Sequence, residues 1–249
     1  MPWGWRTLRG LAPPIALAVA GGVGLVACGT SKYHYVTTKS PTLVYKIPVG
    51  KRTLRRAVEA ADSYYKVPRT WKVFSKEQVL SAMPGVDKLT PTGIADLVAG
   101  QNVTGFDASP RPSPANLFSA TSSPSGREMV LVLDDDQRDS VSLSDMRNFP
   151  FSVDAQQGAQ TDQQSGEPKV EVIARDDEVV RPGGFHGTQV LFNLKGDHGL
   201  AYTVNQTTLT DTASRLLYTL VIGCEARCYV QNAKTINEVV ASWTIKEKK

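Results

Sequence analysis

The three cysteines are the residues of this chain best placed to do chemistry. Cys28 follows Leu25-Val26-Ala27 and precedes Gly29, so a branched apolar residue and small ones stand directly before a thiol. A thiol so placed can take a diacylglyceryl group as a thioether, and a peptidase can then cut on its amino side, where the flanking side chains are small. Cys224 and Cys228 are separated by Glu225, Ala226 and Arg227. Three intervening residues can turn the chain enough to bring two Cα atoms within the roughly 4.4 to 6.8 Å that a disulfide needs. The competing chemistry is half of a metal site, but no second Cys/His cluster accompanies the pair, and His34, His186 and His198 stand apart as loop residues.

Other candidates have plainer readings. Asp134, Asp135, Asp136 and Asp139 form the most acidic cluster, and oxygen-rich loops can bind calcium. Their spacing lacks the order of acids and glycine of an EF-hand, and a strand end running into solvent accounts for them without a ligand. No Gly-x-Ser-x-Gly occurs, and Pro182-Gly183-Gly184 before Phe185-His186-Gly187 reads as a turn rather than an oxyanion loop. Asn102-x-Thr104 and Asn205-x-Thr207 fit the glycosylation pattern, a modification rather than a chemistry of the chain's own. Neither catalytic, cofactor-binding nor metal-binding residues are expected.

The segment before Cys28 explains its thiol. Residues 1 to 10 carry Arg6 and Arg9 and no acid, and the 17 residues from Leu11 to Ala27 carry no charge. That is the architecture of a signal peptide, and its end resembles a lipobox. A transmembrane anchor is disfavoured by Pro13, Pro14, Gly21, Gly22 and Gly24, and an ordinary secretory signal would leave Cys28 unexplained. Lipidation consumes Cys28, which leaves Cys224 and Cys228 as the pair free to bridge in an oxidising compartment. The disulfide is therefore the expected state. Taking Arg6 and Arg9 from the 28 basic residues leaves 26 against 24 acidic ones, a net charge of +2 on the mature chain. So balanced a charge argues against nucleic acid as a partner.

Downstream, residues 28 to 41 read as the lipidated cysteine and a flexible tether, and 42 to 249 as one domain. Thr42 to Val49 is expected as a strand, and Lys51 to Asp62 as an amphipathic helix carrying Leu54, Ala57, Val58 and Ala61. Tyr65 to Val73 reads as a tryptophan-centred strand. Ser75-x-x-Gln78 resembles a capping box opening a short helix that Pro84-Gly85 ends. Thr90-Pro91 begins another, expected to turn Ile94, Leu97 and Val98 inward and to stop at Gly100. Proline and serine make 107 to 126 an exposed loop, Arg127 to Leu133 is a strand, and 156 to 168 is a polar insertion. Apolar runs at Val170 to Ile173, Thr188 to Leu194, Leu200 to Val204 and Arg215 to Ile222 imply an antiparallel meander, with turns at Arg175 to Glu178 and Lys195 to Gly199. Ile236, Val239, Val240 and Trp243 recur at helical spacing behind Thr235-x-x-Glu238, and Ser242 to Lys246 supplies a terminal strand.

This ending, a strand closed by cysteine, a helix, then Ser242-Trp243-Thr244-Ile245, resembles the PsbP-like fold and the actinobacterial envelope lipoproteins of the LpqN type. There a Ser-Phe or Ser-Trp pair commonly starts the last strand. Val67-Pro68-Arg69-Thr70-Trp71 also resembles the family's proline-then-tryptophan strand, with Thr70 where glycine often stands. The resemblance covers 65 to 75 and 185 to 249 and leaves 101 to 165 unmatched. It implies an α+β fold, a central antiparallel sheet with helices packed on both faces, and no common active site. Its members serve as photosystem extrinsic subunits, nuclear-transport cofactors and envelope lipoproteins.

The expectation is a lipoprotein held on the extracytoplasmic face of the cell membrane, binding an envelope protein or lipid partner without catalysis. The alternative is an envelope hydrolase whose site the sequence does not reveal. Mass spectrometry of the mature protein should find residues 1 to 27 absent and Cys28 acylated, and Cys28→Ala should release the chain from the membrane fraction. A retained leader, or an unmodified Cys28, overturns the anchor.

Overall fold

The computed structural model describes residues 31–41, 43–49, 52–58, 61–154, 169–195 and 201–246. Cys28, the signal, the 156 to 168 insertion and His198 lie outside them. Twelve strands occur among the described residues. In chain order they are β1 (Tyr33–Thr38), β2 (Leu43–Val49), β3 (Arg52–Val58), β4 (Asp62–Pro68), β5 (Lys72–Phe74), β6 (Gln101–Asp107), β7 (Ser125–Val132), β8 (Lys169–Arg181), β9 (Phe185–Lys195), β10 (Ala201–Thr210), β11 (Leu216–Glu225) and β12 (Thr244–Lys246). The α-helices are α1 (Lys76–Ser81), α2 (Pro91–Gly100), α3 (Asp135–Ser140), α4 (Leu143–Arg147) and α5 (Ala226–Ser242).

β11, LLYTLVIGCE, is apolar along nearly its whole length, and such a strand needs cover on both faces. It accordingly occupies the centre of a seven-stranded antiparallel sheet ordered β5-β6-β7-β11-β10-β9-β8. Leu216, Tyr218, Leu220, Ile222 and Cys224 pack on one side with Ile236, Val239, Val240 and Trp243 of the α5 region and with Tyr65 and Val67 of a second, three-stranded sheet, β1-β4-β12. On the opposite side Val221 joins Val153, Val170, Val190, Phe192 and Val204. Further along that side α1 and a 3-10 turn at Pro114–Phe118 cover Val103 and Met129 with Val79, Leu80 and Leu117. The expected α+β arrangement, with helices on both faces of the antiparallel sheet, is present. Buried Gln206 ties the chain after α4 to that same side, its Nε2 donating to the Arg147 carbonyl at 2.7 Å and its Oε1 accepting from Phe151 N at 3.3 Å.

Several local expectations need correction. The supposed helix from Lys51 to Asp62 is β3, paired antiparallel with β2 from Leu43↔Val58 to Val49↔Arg52. Short apolar runs fit either period. The tether ends earlier than Pro41, because Tyr33–Thr38 is a strand on β4 with Val36 and Thr38 buried. Its polar composition hides a period of two. Tyr65 to Val73 is not one strand. It is β4 and β5, in different sheets, joined at a corner where Trp71 N donates to the Pro68 carbonyl at 3.0 Å.

Arg175 to Glu178 is not a turn but the exposed middle of edge strand β8, which carries register shifts at Val172/Ala174 and Asp176/Val179. Charges and bulges of this kind blunt an open sheet edge. The turn lies later, where Gly183 and Gly184 take φ of 88° and 80°, the left-handed region that favours glycine. α5 begins at Ala226, so Thr235 is a mid-helix residue rather than a cap. Ile94 and Val98 of α2 do not turn inward but are 40 % and 41 % exposed, and only Leu97 packs against the Phe74 cluster. The 107 to 126 loop is pinned by buried Asp107, which accepts from Ser109 N at 2.8 Å, Ser113 N at 3.0 Å and Asn116 Nδ2 at 2.7 Å.

Cys224 at the end of β11 and Cys228 in the first turn of α5 are disulfide-bonded, with Cα atoms 5.9 Å apart. The bridge fixes the angle at which α5 leaves the central strand. For so short a loop the chain-entropy relation gives about 2 kcal/mol. A Cys224→Ser/Cys228→Ser variant should therefore melt about 4 to 8 °C below the parent for a body of this size. Reductant should lower the parent's melting point and leave the variant's unchanged.

Candidate functional site

The sequence-derived candidates are not brought together. Asp134 caps α3, accepting from Gln137 N at 2.9 Å, while Asp135 pairs with Arg138 at 3.0 Å. Acids in a first helical turn interact favourably with the helix dipole. His34 is in β1 rather than a loop, with Nε2 3.1 Å from the Arg69 carbonyl. His186 is likewise in a strand, with Nδ1 3.3 Å from the Gly184 carbonyl. Asn205 is buried in β10, where its Nδ2 donates to Tyr229 Oη at 3.3 Å. Among the described residues no three or more His, Cys, Asp or Glu side chains are grouped to hold a metal.

Two arrangements emerge that the sequence did not mark. The first is Glu128, a fully buried carboxylate on β7, aimed at the layer beneath α5. Ser63 of β4 donates to its Oε1, as does Trp243 Nε1 at 2.7 Å, and Thr38 of β1 donates to Oε2 at 2.5 Å. Thr38 also meets Thr104 Oγ1 at 2.6 Å, and Thr104 meets Tyr65 Oη at 2.8 Å. Since each hydroxyl has one proton, the donors run Tyr65 to Thr104 to Thr38 to Glu128. Burial pushes the carboxyl up to about 7, against the three hydrogen bonds, which favour the charged form. Burial likewise holds the Tyr65 hydroxyl well above its ordinary value. The one signal available was a Glu inside an apolar strand followed, far along the chain, by an indole able to reach it.

The second is an open groove of about 800 Å³ between β1 and the β4–β5 corner. Its floor is Trp71, stacked on Phe106 with centroids 5.5 Å apart. His34, Tyr35, Arg69, Lys72 and Gln78 line it, and no carboxylate does. Among the described residues neither Arg69 nor Lys72 makes an ion pair. Tyr35 stands 80 % exposed at the rim.

No family model matches the sequence, and no curated protein matches it by sequence. Solved structures similar to this chain include cyanobacterial PsbP (CyanoP) from Synechocystis, at TM-score 0.42 and 11% identity over 92% of this chain and 98% of that one. LpqN, involved in cell envelope biogenesis of Mycobacterium tuberculosis, has TM-score 0.40 and 13% identity over 86% of this chain and 92% of its own. The Ran-binding protein Mog1p of Saccharomyces cerevisiae has TM-score 0.34 and 13% identity, covering 73% and 88%.

Chemically the two arrangements differ. Glu128 is sealed and committed to packing groups, whereas the groove offers the exposed Tyr35 ring and the cations of Arg69 and Lys72 to solvent. The raised carboxyl has a consequence for stability. A native value near 7 against an ordinary 4.5 means that the native state holds a proton the unfolded state has released between those pH values. Stability from this group is fully present below about pH 4.5 and is lost as pH rises through 7. Glu128→Gln keeps an acceptor for Trp243 and Ser63 and cannot ionise. The difference in unfolding free energy between parent and Glu128→Gln, measured in urea, should therefore shift by roughly 2 to 3 kcal/mol in the variant's favour between pH 5 and pH 8.

Proposed function

We propose that this protein is a membrane-tethered accessory protein on the extracytoplasmic face of the cell envelope, anchored through a lipid on Cys28 and binding a partner without catalysing a reaction. The observation that carries the reading is the groove, whose rim Tyr35 and unpaired Arg69 and Lys72 form a recognition surface open to solvent over the buried, Phe106-stacked Trp71. Aromatic residues and arginine are the side chains that dominate binding interfaces. The Cys224–Cys228 disulfide suits the oxidising side of a membrane. Glu128, the buried carboxylate, serves the fold, because its hydrogen bonds go to residues that hold layers together.

A photo-cross-linker placed at Tyr35 tests the reading in intact cells. The anchored protein should give discrete adducts at the membrane, and Cys28→Ala should abolish them. Adducts no more abundant than those of a control carrying only the signal would overturn it.

A further inference from the structure

We propose that the groove between β1 and β5 seats the anionic headgroups of the membrane that carries the Cys28 anchor. The proposal rests on the tethered reading and names its partner, the lipid surface itself.

Reach is the first argument. A tether running to Pro41 would let the body sit about 45 Å from its anchor. β1 instead begins at Tyr33, and Arg69 N donates to the Lys32 carbonyl at 3.0 Å, so the chain enters the folded body at the corner that bounds the groove. From Cys28 to Lys32 is four residues, at most about 14 Å when fully extended. The anchor therefore holds this end of the molecule against the headgroup layer and fixes a high local concentration of headgroups beside it.

Charge is the second. Arg69 and Lys72 line the groove with His34, and no carboxylate shares the lining. Glu238, on α5, accepts the Tyr33 hydroxyl at 2.9 Å and is not part of that lining. Guanidinium and ammonium donors match phosphate oxygens. Tyr35, exposed on the same strand, has the apolar body and polar tip that favour a membrane–water interface. A soluble acidic peptide would find the same cations but not the permanent proximity that four residues of chain impose.

The full-length protein, purified with its native modification, is reconstituted into vesicles of phosphatidylcholine alone or with phosphatidylglycerol. Hydrogen exchange is then followed in residues 33 to 38 and 69 to 75. Exchange there should be roughly 30-fold slower on the anionic vesicles, which is what two cations at about 1 kcal/mol each provide near an anionic surface. The difference should vanish in Arg69→Ala/Lys72→Ala, whose fold near-ultraviolet circular dichroism verifies. Equal exchange on the two vesicle types overturns the proposal. Protection by inorganic phosphate or an acidic peptide without vesicles, with no effect of phosphatidylglycerol, overturns it too and gives the groove a soluble ligand. Mass spectrometry of the same samples separates the two readings. If Cys28 carries no lipid the tether fails, and sedimentation of the unanchored chain with anionic vesicles then decides the groove. Binding lost in the double variant sustains it, and no binding ends it.

Discussion

The carboxylate of Glu128 is the constraint around which the rest of the molecule is arranged. It lies on a strand of the large sheet and takes donors from β1, from β4 and from the indole that follows α5. A charged or half-charged group without water costs far more than a hydrogen bond returns unless its acceptors are filled. Three separate parts of the chain must therefore converge on one point before the core is complete. The Ser242-Trp243 pair at the end of α5 does both halves of that work. Ser242 Oγ accepts from Lys66 N at 3.1 Å and donates to the Val239 carbonyl at 2.7 Å, while Trp243 reaches Glu128. A sequence feature that looked like packing alone is the latch between helix, small sheet and large sheet.

From that latch the layering follows. β1-β4-β12 gains its burial by lying over β6, β7 and β11 beside α5. The Val67-to-Trp71 corner lets one run of chain contribute to both sheets, with Val67 buried in the first and Trp71 stacked against the second. Because the corner must turn between sheets, its ends cannot be covered by either. The groove is the space left beside it.

The groove is bounded by a strand that also serves the core. β1 is at once the edge of the small sheet, a supplier of Thr38 to Glu128 and a lining strand of the groove. Arg69, Lys72 and Tyr35 stand on the side of the body where β1 enters it. Stability and presentation are thus coupled through a single six-residue strand.

Much of the scaffold was legible without coordinates, because local patterns carry it. Alternating apolar runs gave the β8 to β11 meander, Ser75 and Gln78 gave α1, and cysteine spacing gave the bridge. These depend on periods of two or 3.6, on capping and on reach, which neighbouring residues fix among themselves. Several of the misreadings concern residues whose role depends on a pairing partner outside their own run. Polar Tyr33 to Thr38 became a strand because β4 was there to pair with it, and the turn assigned to Arg175 to Glu178 moved because β9 continued the pairing. Glu128 and the groove belong to the same class. The sequence by itself marked a signal-like leader, the cysteine behind it and the β7, β9, β10 and β11 strands of the large sheet. Only the tertiary structure decided that a carboxylate would be buried, that Tyr33 to Thr38 would join a sheet and which cations share a surface, because those follow from contacts between segments that no local period encodes.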